Sequence, residues 1–150
     1  MGITLSRFYP NASKILLTDL PEATEILTRN LNLCPPLGRN QQITHEILDW
    51  SSPLPPNVKT TDWDMVIVSD CTYNPGVVPD LVLTLRSIAT KSQRDVVILL
   101  AMKVRHESEI MCFDLMAQSG FAVREKAVLP LPMLAGEAEQ IEIFVLTLRA

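Results

Sequence analysis

One short stretch constrains the fold of this chain more than any other. Val66-Ile67-Val68 is an apolar run that stops abruptly at Ser69-Asp70-Cys71-Thr72-Tyr73, with an acid at its exit and an aromatic three residues later. An apolar run bounded this way reads as a strand buried on both faces, of the kind found inside a parallel sheet. In open α/β sheets ligands bind just beyond the carboxyl ends of such strands. Asp70 and Tyr73 therefore fall where a site is expected, whatever its chemistry.

The same signature recurs. Lys14-Ile15-Leu16-Leu17-Thr18-Asp19 is a second apolar run ending on an acid. Leu20-Pro21-Glu22 then opens a helix, with Pro and Glu in the first turn where a missing N–H and a negative charge are tolerated. Ala23, Ile26, Leu27 and Leu31 recur at helical spacing and predict one sheet-facing side. Gln42 to Trp50 gives a weaker strand signal that ends in Asp49-Trp50, and the prolines at 53, 55 and 56 predict loop from Ser51 to Thr61.

Beyond the central strand, Val78, Leu81, Val82, Leu85, Ile88 and Ala89 outline the clearest amphipathic helix. Val96 to Ala101 predicts another fully buried strand. His106 to Ser119 predicts a helix with Ile110, Phe113, Met116 and Ala117 inward, stopped by Gly120. Phe121 to Leu131 and Ile141 to Leu148 predict an antiparallel hairpin around a loop containing Gly136. Strand–helix alternation of this kind implies an α/β fold: a Rossmann-like, doubly wound, mostly parallel sheet with helices on both faces. The C-terminal antiparallel β-hairpin is grafted onto its edge.

With 150 residues the chain fits a single domain spanning its whole length, and 47% hydrophobic with 20% charged residues suits a folded protein. A net charge of −4 and the lack of any Lys/Arg run argue against a nucleic-acid partner. Cys34, Cys71 and Cys112 are odd in number and far apart, which points to reduced thiols and no metal site. No apolar stretch approaches the ~20 residues that span a bilayer, and the N-terminus lacks a signal-peptide layout. No membrane association is expected, and the cytoplasm, with the nucleus second, is the expected compartment.

Three strand signals end in an acid, at Asp19, Asp49 and Asp70. Each acid alone reads as a cap for the following turn. Together, at the ligand-binding edge, they also suit a ribose diol, which a carboxylate at a strand end can hold. Trp50 offers either a flat surface for an adenine ring or a loop anchor. A nucleotide-binding sheet normally carries a glycine-rich turn after its first strand. The glycines here lie at 2, 38, 76, 120 and 136, no two close together. Gly2 to Pro10 reads like the helix that follows such a turn, so the first strand is expected to be missing. His45 and His106 show no partner spacing and read as surface or helix-start residues. Lys103 to Glu107 reads as a solvated loop bordering the ligand edge.

Leu16 to Ala23, Leu48-Asp49-Trp50, and Asp64 to Tyr73 with its Asp-x-x-Tyr together resemble the seven-β-strand S-adenosylmethionine-dependent methyltransferases, nearest the protein-lysine methyltransferase group. The resemblance runs along essentially the whole chain. It implies a sheet with the first strand central, strands three and two on one side, and four, five, seven and six on the other, the seventh antiparallel. It implies S-adenosylmethionine as cofactor, with Asp19 on its ribose hydroxyls, Trp50 against its adenine with Asp49 nearby, and Ser69 touching it at the strand end. Asp70 and Tyr73 become the substrate-lysine motif. The departure from the family is the absent strand and glycine turn.

What this implies is a monomeric protein-lysine N-methyltransferase acting on a protein substrate. Two alternatives are a non-catalytic remnant or interaction module of the same fold, and a small-molecule N-methyltransferase. Loss of a central first strand would separate strands two and three from the rest, unless strand two pairs directly with strand four.

Overall fold

The computed structural model describes residues 2–34, 40–103, 111–131 and 140–149. The chain divides into two compact units, with the boundary between Pro55 and Pro56. In the first, helix α1 (Gly2–Phe8) precedes strand β1 (Lys14–Asp19). Pro21–Ala23 forms one 3-10 turn that leads into α2 (Thr24–Asn32), and β2 (Gln42–Ile47) follows. The two strands pair in parallel, from Lys14 opposite Gln42 to Asp19 opposite Ile47. The side-chain amide of Gln41 donates to the carbonyls of Ser6 at 3.2 Å and Tyr9 at 3.0 Å, tying the end of α1 to the start of β2.

The inward face of α2 differs from the expected one. Ala23, Thr24, Leu27 and Leu31 are half-buried, whereas Ile26 is 57% exposed. At about 100° per residue Ile26 lies more than a quarter turn to the side of that stripe. His45 stands at no helix start. It is half-buried in β2, with its Nε2 3.0 Å from the Thr28 hydroxyl of α2.

The second unit runs α3 (Pro56–Thr60), β3 (Met65–Ser69), α4 (Val78–Lys91), β4 (Val97–Met102), α5 (Met111–Gln118), β5 (Phe121–Pro130) and β6 (Gln140–Leu148). Its sheet order is β3-β4-β6-β5, with β3 and β4 parallel and β6 antiparallel to both β4 and β5. Within each sheet the order agrees with the implied one: two beside three in the first unit, and four, five, seven and six in the second. Among the described residues the strands form these two separate sheets.

Helix α3 corrects the loop expected from Ser51 to Thr61. Pro56 opens it at a position where no N–H is needed, so the third proline starts structure instead of breaking it. The Thr60 and Thr61 hydroxyls donate back to the carbonyls of Pro56 and Asn57 at 2.9 and 2.7 Å. The Trp63 indole N–H donates to the Val58 carbonyl at 2.9 Å.

The strands are less enclosed than their apolar runs suggest. In β3 only Val68 is buried, because the strand stands at the end of its sheet with a ladder to β4 on one side. In β4, Ile98, Leu100 and Met102 are buried while Val97, Leu99 and Ala101 are half-buried, so one face carries the core. Opposite Ile98 and Leu100 stand Leu146 and Phe144 of β6. Phe113 of α5 tilts against Phe144 with ring centroids 4.5 Å apart, a favourable edge-on geometry. Phe121, Met116, Val78 and Val82 are also fully buried.

In α5 the inward pair is Cys112 and Met116, four apart, while Ala117 is exposed instead of inward. Gly120 ends the helix with φ +90°, the left-handed conformation a glycine adopts without strain. The expected helix start at His106 to Ile110, and the hairpin loop around Gly136, lie outside the described residues.

Candidate active site

The carboxyl ends of the paired strands β1 and β2 carry Asp19 and, just beyond β2, Asp49 and Trp50. The Leu48 N–H donates to the Asp19 carbonyl at 2.9 Å, extending the ladder one residue past β2. Asp19 is exposed; one carboxylate oxygen accepts the Leu20 N–H at 2.8 Å, and the other has no hydrogen-bond partner among the described residues. A carboxylate arranged this way has acceptor capacity left for a diol.

Asp49 is engaged locally. Its Oδ1 accepts the Ser51 N–H at 2.9 Å and the Ser51 hydroxyl at 2.7 Å, and its Oδ2 accepts the Ser52 hydroxyl at 3.5 Å. The Ser51 hydroxyl and then its N–H hold the Asp49 carboxyl below the usual carboxylate range. Trp50, half-buried, is the first central residue of this turn.

The carboxyl end of β3 carries Ser69, Asp70 and Tyr73. The Asp70 N–H donates to the Ala101 carbonyl at 2.9 Å, so the β3–β4 ladder reaches Asp70 itself. There the backbone turns left-handed, φ +54°, at the one non-glycine position with positive φ among the described residues. Asp tolerates that region better than most residues, yet it still stores strain of order 1 kcal/mol, and such outliers concentrate at functional sites. Ser69 is half-buried, and its carbonyl accepts the Cys71 thiol at 3.2 Å. Tyr73 is 64% exposed, an aromatic ring presented to solvent.

Two further residues shape this exit without standing out in the sequence. Asn74 accepts the Gly76 N–H on its Oδ1 at 3.0 Å and the Val77 N–H on its carbonyl at 3.2 Å, which fixes the loop leading from Tyr73 into α4. The tripeptide Asn74-Pro75-Gly76 is itself a turn signal. Thr72, 2% exposed, anchors the loop between Asp70 and Tyr73, and nothing in its sequence context signals that burial.

A family model described as lysine methyltransferase matches residues 1–119. The chain belongs to the lysine methyltransferase family. Its fold is that of S-adenosylmethionine-dependent methyltransferases. The chain aligns with a SAM-dependent methyltransferase from Methanosarcina mazei at TM-score 0.66 and 9% identity, over 95% of this chain and 85% of that one. A variant 16S rRNA adenine N1-methyltransferase from Catenulisporales acidiphilia aligns at TM-score 0.64 and 12% identity, over 99% and 82%. LepI, solved in complex with SAM, aligns at TM-score 0.61 and 16% identity, over 98% of this chain and 39% of that one.

In sequence, this lysine methyltransferase family member is 29% identical over 109 residues to the UPF0665 family protein C23C4.06c of Schizosaccharomyces pombe. The match takes in 73% of this chain and 32% of that protein, so the chain spans about a third of the relative's length. In type, the residues at these strand ends, an exposed carboxylate with acceptor capacity after β1 and a half-buried tryptophan after β2, fit the nucleoside end of S-adenosylmethionine.

Proposed function

We propose that this chain is an S-adenosylmethionine-dependent protein-lysine N-methyltransferase. In this reading Asp19 and Trp50 hold the nucleoside of the donor, Ser69 touches the donor at the strand end, and Asp70 with Tyr73 receives the lysine. The observation that carries it is the exit of β3: a strained acid followed by an exposed tyrosine, in a segment from Ser69 to Asp80 with two carboxylates and no cation. Such a surface suits a cationic side chain and opposes a polyanion. The net charge of −4 points the same way.

The donor supplies an electrophilic methyl group on a sulfonium; a nitrogen lone pair forms the new N–C bond as the S–C bond breaks, its electron pair staying on sulfur. The acceptor must react as a neutral amine, its proton passing to solvent once the ammonium has docked. The Asp70 carboxylate accepts an N–H of the incoming amine and aims its lone pair. Tyr73 offers a ring face to the cationic head before deprotonation and to the methylammonium product after transfer. Alignment alone supplies much of the acceleration in a displacement of this type. Asp70 holds its aim because its backbone is pinned to Ala101 and Asn74 fixes the loop beyond Tyr73.

The test is label transfer from tritiated S-adenosylmethionine to three acceptor classes: lysine-rich proteins, transfer and ribosomal RNA, and nicotinamide. The expected result is label in protein that hydrolyses to methyl-lysine. Label in RNA or nicotinamide instead, or in no acceptor, would overturn the reading.

A further inference from the structure

Asp49 stands among acids that look equivalent in sequence, yet its carboxylate is used differently from that of Asp19. Asp19 makes one short bond to the next N–H and keeps an oxygen without a partner among the described residues. Asp49 accepts three donors from Ser51 and Ser52, and its carbonyl accepts the Ser52 N–H at 3.0 Å. A carboxylate offers about four acceptor positions, and three of these are filled within the turn. The residue enclosed by these bonds is Trp50.

We propose that Asp49 is a positioning residue that acts through Trp50: its carboxylate locks the turn Asp49–Ser52 and so fixes the indole, instead of touching the nucleoside itself. The role follows from the spacing. A side-chain oxygen that reaches the N–H two residues on closes a ring around the backbone of the intervening residue, here the tryptophan, and sets the direction in which its side chain leaves the chain. Holding the backbone that carries a large ring before a ligand arrives spares part of the ordering entropy that binding would otherwise meet. Ser51 adds its hydroxyl to the same oxygen and becomes part of the device. The inference rests on the reading that Trp50 lies against the adenine of the donor.

It is tested on the full chain labelled with 5-fluorotryptophan. The chain has two tryptophans, so two fluorine resonances are expected, and Trp50→Phe assigns them. Asp49→Ala and Ser51→Ala should each move or broaden the Trp50 resonance and leave that of Trp63 in place, which also reports an intact second unit. Asp49→Asn keeps the Oδ1 acceptor and should stay near wild type. Titration with S-adenosylhomocysteine should give a Kd raised about tenfold in Asp49→Ala, about threefold in Ser51→Ala, and less in Asp49→Asn.

A Trp50 resonance unmoved in Asp49→Ala would overturn the proposal. So would a Kd lost equally in Asp49→Ala and Asp49→Asn but unchanged in Ser51→Ala, the pattern of a direct ligand. Absence of S-adenosylhomocysteine binding by the wild-type chain would sink the donor reading, while the fluorine spectra would still decide whether the turn holds Trp50.

Discussion

The two units carry similar strand signatures and very different interiors. Lys14 to Asp19 and Met65 to Asp70 are both apolar runs that end on an acid, and both form parallel strands. Among the described residues, however, Leu48 is the one buried apolar side chain before Pro56, while Val68, Ile98, Leu100, Met102, Met116, Phe121, Phe144 and Leu146 are buried after it. A short apolar run thus reports a strand, and its burial depends on how many neighbours flank it. In the second unit β4 is flanked by a strand on either side; in the first, β1 and β2 have only each other.

On that contrast, the largest effects of core truncation fall in the second unit. Leu100→Ala should destabilise by about 3 kcal/mol, within the range for fully buried leucines. Leu17→Ala, at a half-buried position of β1, should cost about 1 kcal/mol. Urea denaturation of both variants compares them, and equal losses would erase the distinction.

A second measurement probes the same interior through pH. Burial pushes the Cys112 thiol up to about 11 from an ordinary value of 9.0. Between those values the unfolded chain ionises this thiol while the folded chain keeps it protonated. The unfolded state then binds fewer protons, and stability falls as pH rises. The contribution is fully present below about pH 9 and is lost through about pH 11, on the order of 2 kcal/mol. Cys112→Ala should flatten that alkaline slope in denaturation curves taken from pH 8 to 11. The half-exposed Cys34 and Cys71 should react with a thiol reagent at neutral pH well before Cys112.

A comparably small effect sharpens a boundary within the second unit. A Cβ on Gly120 would meet Leu148 Cδ1 at 3.7 Å, an ordinary contact, so space does not oppose it. The φ of +90° does, and Gly120→Ala should cost about 1 kcal/mol by thermal melt. A neutral result would mean that the α5–β5 corner relaxes readily.

Much of the architecture was legible in the residues. The apolar runs gave the strands, the spacing of Val78 to Ala89 gave α4, and Gly120 gave the end of α5. What escaped was relational. Pro56 reads as a breaker among prolines until its place at the first position of α3 is known. Ala117 and Cys112 are both small and apolar, and only packing decides which faces inward. At the site, residue type named Asp19, Asp49 and Asp70 alike. Their roles diverge through hydrogen bonds that a sequence does not display, closing a turn at Asp49 and leaving acceptor capacity at Asp19. At Asp70 the distinction is a left-handed backbone.

In the proposed function the labour is divided, with Asp19 serving the donor and Asp70 the acceptor. Steady-state kinetics of methyl transfer to a lysine-containing protein, varying each substrate in turn, tests this with Asp19→Asn and Asp70→Asn. Asn is the suitable replacement at residue 70 because it too tolerates positive φ. Asp19→Asn should raise KM for S-adenosylmethionine by about tenfold or more and leave KM for the protein unchanged. Asp70→Asn should lower kcat/KM for the protein by a similar factor and leave KM for the donor unchanged. Both variants shifting the same constant, or neither shifting any, would contradict the account.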